Sequence, residues 1–562
     1  MKKIGYIILS MLLISILSCN EDEWLTEEPL SIYSTENSYS TTVQFRQALN
    51  YLYDQLRRHH WVNSDNNTIL YFGDLAYGGT DYPDMKFNNM NAFITANTSA
   101  PRDFWTRAYR SIANANTIIN RITTADAVNA SDKATIEGEA LFFRAHWYNF
   151  LANLYGGVPL VLEEATNPRR DYVRATRQEV YDRAKVDLER AITLLADIDD
   201  VKDGQVSKQA AEHLLTEVYL SLEDYTAAIS TATTVINHPS MGLMTTRFGT
   251  SASEPGDPYW DLFQVNNQNR STSGNKESIL ILQYDYQNPG STYSLDHRRW
   301  LLPYYYGLTV TSTTGSQVLG FTSWTEDKGG RGIGVFHPTD YFCEDIWGSD
   351  GTNDYRNSPY IILRDCKIDN PAAAGYGQWI IADGWLQDKF KLRHFYPFLL
   401  KFARTSNLPD DCYAKNADGS IKTTALNEKI PAHPGIGANG SLKDEYLYRL
   451  AGTYLLRAEA YVRNNQPDLA LADINALRTR SNATPAQLSD INMDYILDEQ
   501  MRELYFEDFR LPTLCRLGKL VDRGRTYNPQ GYNIGDHQNL FPIPFSEIER
   551  NIHSVMEQNP GY

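Results

Sequence analysis

Long apolar runs are almost missing from this 562-residue chain. The exception is Ile4 to Leu17, a stretch too short to span a bilayer comfortably. Beyond it no run can cross a membrane, so the remainder reads as a soluble body long enough to bury an extensive core. Cysteine is scarce too. The five thiols (19, 343, 366, 412 and 515) form no C-x-x-C pair, which removes the usual redox and zinc signatures. Cys343 and Cys366 leave room for one disulfide in an oxidising compartment. Positive charge is in deficit: 52 Lys and Arg against 69 Asp and Glu give a formal net charge of −17. Such a surface repels phosphate backbones, which excludes nucleic acid as the expected partner. Over the whole chain it suits neutral ligands better than anionic ones, although a local patch can differ.

Catalytic signatures are equally thin. No HExxH, GxSxG or Walker sequence occurs. The run "GGRGIG" (Gly329 to Gly334) leads into Pro338 rather than into a helix, so it does not read as a phosphate cradle. The eleven histidines show no ligand spacing. Asp81 with Asp84 and Asp350 with Asp354 are neighbours in sequence, but nothing marks either pair as a glycosidase dyad. A surface glycoside hydrolase is therefore the weaker alternative to a protein that binds without reacting. No cofactor is expected. "DIWGSDGTNDYRN" (Asp345 to Asn357) has enough oxygen groups for a structural calcium ion, with an Asx-rich turn as the simpler account.

What is present begins at "SILSCNEDEWL" (Ser15 to Leu25), where the apolar run stops at one cysteine and an acidic cluster follows. Lys2 and Lys3, the apolar stretch and Ser18 before Cys19 make residues 1–18 a secretory signal ending in a lipobox-like site. A lipidated Cys19 anchors the chain without a transmembrane helix. Residues 19–40 then read as a tether. Glu21, Asp22 and Glu23 resemble the tag that sends lipoproteins of Bacteroidetes to the outer face of the outer membrane.

Helical periodicity is strong at both ends of the chain and weak in the middle. Phe45, Leu49, Leu52 and Leu56 lie on one helix face. "EALFFRAHWYNFLANLYGGVPLV" (Glu139 to Val161) is apolar all round, so it predicts a buried helix stopped at Gly156. Thr176 and Glu179 form a capping box. Ala211, Tyr219, Tyr225, Ala228 and Ala232 have the spacing of a tetratricopeptide unit, and a second helix pair follows over Tyr454 to Arg480. The fold class is therefore mainly α. Tetratricopeptide-like helix pairs (about 41–238 and 444–520) form a scaffold, and a loop-rich insertion (about 239–443) with a few short strands, such as "SILILQYDY", separates them. Residues 521–562 read as a C-terminal framework segment, making 41–562 one domain.

Five stretches, in order, resemble the SusD/RagB family of outer-membrane nutrient-binding lipoproteins. They are "WTRAYRSIANANTIINRI", "EALFFRAHWYNFLANLYGGVPLV", "YLLRAEAYVRN" with "INALRTR", "ILDEQMRELYFEDFRLPTLCRLGKL", and the ending "LFPIPFSEIERNIHSVMEQNPGY". Leu511 departs from the aromatic that commonly follows "FEDFR" in that family. The resemblance implies a helical lid on a SusC-like TonB-dependent transporter that holds an oligosaccharide, or in some relatives a peptide, without covalent chemistry. It places Arg502 and Glu503 in the framework.

A saccharide offers apolar faces and a rim of hydroxyls, so stacking rings and directional polar groups are what it needs. Two loops supply them. "GDLAYGGTDYPDMKFNN" offers Tyr77, Asp81 and Tyr82, and the stretch from "HRRWLLPYYYG" to "GFTSWTEDKGG" offers Trp300, Tyr304, Tyr305 and Trp324. Trp379 and Trp385 are reserves. Packing onto the scaffold is the competing account for each ring, above all for Trp300 beside Leu301 and Leu302.

Overall fold

The structure, a computed structural model, describes residues 38–61, 69–79, 88–285, 297–386, 393–403, 408–432 and 442–562. Cys19, the signal and most of the tether lie outside them, as do Asp81 and Tyr82.

The scaffold helices are α1 (Thr42–Trp61), α2 (Ser99–Ile122), α3 (Ala130–Tyr155), α4 (Arg177–Leu194), α5 (Lys208–Ser221), α6 (Tyr225–Ile236), α7 (Leu450–Arg463), α8 (Pro467–Arg480), α9 (Met493–Leu504), α10 (Arg510–Arg516) and α11 (Leu520–Tyr527). Helix α1 buries Phe45, Leu49, Leu52 and Leu56 completely. Helix α3 is buried on every side over its second half and ends at Gly156, whose φ of 72° lies in the left-handed region. The box that opens α4 is complete: the Glu179 N–H donates to Thr176 Oγ1 (3.2 Å) and the Thr176 N–H donates to Glu179 Oε2 (2.7 Å). Ala211, Ala228 and Ala232 are fully buried, so α5 and α6 approach closely.

Each helix from α2 to α8 packs against the next. The stack runs unbroken from α6 to α7 although Ile236 and Leu450 are separated by the whole insertion. Short strands explain how. Among the described residues they are β1 (Ala76–Gly78), β2 (Ser278–Leu282), β3 (Thr309–Thr311), β4 (Gln317–Leu319), β5 (Phe336–Pro338), β6 (Ile362–Leu363), β7 (Phe398–Leu399) and β8 (Glu445–Arg449). They pair off antiparallel as β1 with β5, β2 with β8, β3 with β4 and β6 with β7. The β2–β8 pair clasps the neck of the insertion and delivers the chain into α7.

The insertion carries its own core of Tyr305, Phe321, Ile368, Ile380, Phe395, Tyr396 and Phe398, all at most 1% exposed. The loop-rich composition gave no sign of this second core. Cys343, Cys366, Cys412 and Cys515 are buried free thiols, so the disulfide that the sequence allowed is not formed.

An ion network locks the scaffold to the insertion. Arg356 bonds Glu499 (2.6 Å) and Glu503 (3.2 Å); Arg449 bonds Glu503 (2.5 Å) and Glu507 (2.8 Å); Arg480 bonds Glu277 (2.9 Å) and Glu503. Arg502 joins through Glu499 (2.6 Å). Burial alone raises the Glu499 carboxyl, but the guanidiniums of Arg356, Arg502 and Arg478 outweigh it and hold it at about 2. The C-terminal tail returns to the first half of the stack, where the Phe541 N–H donates to the Leu154 carbonyl (2.7 Å) and Asn559 donates to the Tyr155 carbonyl (2.8 Å).

Candidate functional site

Two loops that are far apart in sequence meet through β1 and β5. Residues 69–79 are anchored from behind by Asp74, which bonds Arg510 (2.7 Å) and Arg523 (2.6 Å). Burial pushes the Asp74 carboxyl up, yet the two arginines bring it down to about 2, so it stays ionised and the loop stays tied to α10 and α11. The Gly79 N–H donates to the Val335 carbonyl (3.1 Å), and the Val335 N–H donates to the Trp300 carbonyl (3.1 Å). Tyr304 N–H in turn donates to the Arg393 carbonyl (2.9 Å). Four segments, around 77, 300, 334 and 394, thus converge.

Glycine makes the convergence possible. A Cβ at Gly79 would stand 2.6 Å from the Gly334 carbonyl oxygen and 2.8 Å from Arg393 Cβ. Gly334 itself has φ +63° and would meet the Arg393 carbonyl at 2.5 Å. The "GGRGIG" run serves close backbone approach.

On this base stands a row of half-buried rings. Tyr305 turns inward: its hydroxyl accepts from the Thr325 N–H (2.7 Å) and donates to the Gly330 carbonyl (3.2 Å). Its neighbours Tyr304 and Tyr306 turn outward and meet edge to face, with centroids 4.5 Å apart and planes at 84°. Tyr306 meets Trp324 at 5.1 Å and 72°, and Tyr304 lies 5.2 Å from His394. Trp324 Nε1 donates to the Pro431 carbonyl (3.1 Å), which fixes the indole plane. Arg393 lies over the Tyr304 ring (4.8 Å) and Arg331 over Trp324 (5.8 Å), while Arg331 Nε donates to the Tyr306 hydroxyl (3.3 Å). Burial raises the Tyr306 phenol, against the opposing pull of Arg331, so it remains a neutral donor and acceptor. The carboxylates following Trp324 are engaged: Glu326 accepts from the Leu408 N–H (3.0 Å) and the Tyr413 hydroxyl (2.6 Å), and Asp327 pairs with Lys328 (3.1 Å). The arrangement offers apolar faces and a polar rim, which is the equipment of a binding surface.

Of the residues proposed from sequence, Tyr304 and Trp324 are brought together here. Tyr77, Trp300 and Tyr305 are corrections; Tyr305 is fully buried, with its hydroxyl bonded to Thr325 and Gly330. Tyr77 is 5% exposed and stacks on His337, and Trp300 is 6% exposed against Phe336 (6.1 Å); both are buried in the floor beside the β1–β5 pair. Asp81 and Tyr82 lie outside the described residues. Trp379 is exposed beneath the Lys367 ammonium (5.3 Å), and Trp385 packs on the insertion core. Sequence reasoning missed Tyr306, Arg331, Arg393 and His394. Tyr306 lies in the Tyr-Tyr-Tyr run, but which of the three rings turns inward is set by the 3-10 turn Tyr305–Gly307 rather than by the run itself. Nothing local marks Arg393 or His394.

In Asp345 to Asn357, Asp350 bonds Arg478 (2.8 Å) and Asp354 bonds Arg356 (2.7 Å), so these oxygens serve ion pairs. Among the described residues Asp197, Asp199 and His238 bring ligand atoms within 4.8 Å of one another on the scaffold. They are already bonded, Asp197 to Gln209 (2.8 Å) and His238 (3.2 Å), Asp199 to Arg270 (3.2 Å) and Ser240.

Comparison with known proteins matches both halves of the chain. Residues 23–220 match a SusD-like family model described as "Starch-binding associating with outer membrane", and residues 310–562 match the "SusD family" model. The SusD-like protein P2 of Formosa agariphila is 26% identical, with 100% of this chain and 99% of that protein covered. The starch-binding protein SusD of Bacteroides thetaiotaomicron is 37% identical over 123 residues, 21% of each chain. Among solved structures, a laminarin binding SusD-like protein superimposes with a TM-score of 0.65 at 22% identity, covering 93% of this chain and 100% of that one. Surface glycan-binding protein A of Bacteroides thetaiotaomicron, solved with laminarihexaose, gives 0.65 at 19% identity, covering 92% and 99%. A split helical stack, a clasped insertion and these matches across both halves together place the chain in the SusD/RagB family.

Proposed function

We propose that this chain is a non-catalytic surface lipoprotein, anchored in the outer membrane through Cys19. In this reading it captures an oligosaccharide and passes it to a SusC-like TonB-dependent transporter. The observation that carries the glycan reading is the row Tyr304–Tyr306–Trp324, half-buried and set edge to face on a rigid floor. Rings held at both ends by packing lose little freedom when a sugar lands on them, so the contact is used for binding rather than for ordering. Support comes from relatives: one solved neighbour is a laminarin binding protein, another was solved with laminarihexaose, and the model over residues 23–220 concerns starch binding at the outer membrane. The lipobox-like seam at Cys19 and the acids behind it support the cell-surface address.

A calorimetric screen of the soluble form, begun after Cys19, against laminarin, starch and charged polysaccharides tests this reading. A saturable complex with one of them, without release of reducing ends, is the expected result. Turnover of the bound saccharide by the purified protein contradicts it.

A further inference from the structure

A second set of rings stands open on the insertion. Trp379 is 43% exposed, Tyr376 40% and Leu319, at the end of β4, 47%. Single apolar residues are ordinary on a surface, but these three sit on one hydrogen-bonded frame. The Asn370 amide donates to the Leu319 carbonyl (2.7 Å), the Ile368 N–H to the Gln378 carbonyl (3.0 Å) and the Ile380 N–H to the Cys366 carbonyl (3.0 Å). Asp383 accepts from the Trp379 N–H (2.8 Å), and Asp365 accepts from the N–H groups of Ile381 and Ala382 (2.9 and 3.0 Å). Tyr376 occupies the corner of a turn that the Gln378 N–H closes on the Gly375 carbonyl (2.9 Å), with Gly377 at φ +80°. Trp385, not these rings, packs against the insertion core.

The polar groups around the rings are open as well. Trp385 Nε1 donates to Gln378 Oε1 (2.7 Å), which orients the amide and leaves its NH2 without a protein acceptor. Among the described residues the Tyr376 hydroxyl and the Trp379 indole N–H have no hydrogen-bond partner. Lys367, whose ammonium lies 5.3 Å from the Trp379 ring centre, has no carboxylate partner there either. Open ring faces beside unused donors match the C–H faces and hydroxyl oxygens of a saccharide, whereas a packing role would have turned them inward as it turns Tyr305.

The frame is joined to the ring row. Thr322, two residues before Trp324, donates through its N–H (2.6 Å) and its hydroxyl (2.9 Å) to Asp369 Oδ1, and Asp369 follows Ile368, the partner of Gln378. The chain path through these bonds bounds the separation of Trp324 and Trp379 at about 30 Å.

We infer that Tyr376 and Trp379, with Gln378 and Lys367 at their rim, form a second glycan subsite that takes a distal stretch of the polysaccharide chain held by the ring row. It rests on the glycan-binding reading above, which it extends to a second surface. Two contacts on one polymer act at high effective concentration, so the platform adds affinity for long chains and none for a short oligosaccharide seated on the ring row.

The test is calorimetry with three pairs of polymer and trisaccharide: laminarin with laminaritriose, starch with maltotriose, and alginate with trimannuronate. In a pair that the native chain binds, the Tyr376→Ala, Trp379→Ala double variant holds the polymer at least 5-fold more weakly and the trisaccharide within 2-fold of native. Trp379→Phe, which keeps a stacking ring, lies in between for the polymer. The Tyr306→Ala, Trp324→Ala variant of the ring row keeps a residual grip on the polymer, which adding Trp379→Ala abolishes. Circular dichroism shows that each variant is folded. A platform variant that binds the polymer as tightly as the native chain overturns the second subsite while glycan binding stands. Equal losses for polymer and trisaccharide make the rings part of the first site and overturn it too. If the native chain binds none of the three polymers, both readings fall.

Discussion

Tyr77 stacks on His337, with ring centroids 4.8 Å apart and planes 26° from parallel. The contact joins the loop before α2 to the heart of the insertion, so the floor of the ring row is a tertiary product of two distant stretches. Tyr77→Ala removes a nearly buried ring from that junction and costs about 3 kcal/mol of stability. Denaturant unfolding checks this, and glycan affinity falls with it because the row loses its support. A variant with unchanged unfolding midpoint contradicts the floor role.

Glu503 receives Arg356, Arg449 and Arg480 at once. A buried ion pair is weak evidence of net stabilisation, but removing one partner strands the others. Glu503→Gln is expected to cost about 3–5 kcal/mol at pH 7. The same network sets the acid limit. Glu499, held at about 2, lies below its unfolded value, so its contribution is present above about pH 4.5 and is lost as pH falls towards 2. A urea midpoint that holds constant from pH 5 to pH 2.5 contradicts this.

Asp508 works in the opposite direction. It lines a cavity of about 110 Å³ shared with His60, His146, Asn149, Glu217 and Arg516, between α3, α5, α7 and α10. Burial, with Glu507 and Glu217 nearby, raises its carboxyl to about 7. Its folded value lies above its unfolded one, so its contribution is full below about pH 4 and is lost as pH rises through 7. Asp508→Asn therefore flattens the decline in stability between pH 5 and pH 8 and raises stability at pH 8 by about 1 kcal/mol or more. Glu445, raised to about 8 by its own burial, leaves a residual slope. Identical declines in both proteins refute the assignment.

Cys19→Ala tests the address. Fractionation of cells expressing the variant is expected to show the protein moved from the membrane to the soluble fraction. Retention of the variant in the membrane contradicts lipidation at Cys19.

Much of the scaffold was legible because its signals are local. Phe45, Leu49, Leu52 and Leu56 announce one face, and Thr176 with Glu179 announces a helix start, without help from the rest of the chain. The insertion was less legible. Its core residues Phe321, Ile368 and Phe395 lie in stretches without periodicity, and long-range backbone pairing, such as the Asp369 N–H donating to the Gly320 carbonyl (3.2 Å) and the β6–β7 pair, brings them together. The site was half legible. Tyr304 and Trp324 are half-buried on the converged loops and stay candidates. Trp300 and Tyr77 have the same residue chemistry but were drawn into the floor, and Arg393 reaches the rings from nearly ninety residues away. Which ring faces outward is a property of the converged backbone, which no single stretch contains.

The ring row is tested most directly by calorimetric titration of the native chain and of the Tyr306→Ala, Trp324→Ala double variant with the saccharide that the screen selects. The variant is expected to keep a native circular dichroism spectrum and a cooperative unfolding transition, and to bind at least 10-fold more weakly, a loss of about 1.4 kcal/mol. Equal affinity in a folded variant would place the glycan elsewhere on the molecule.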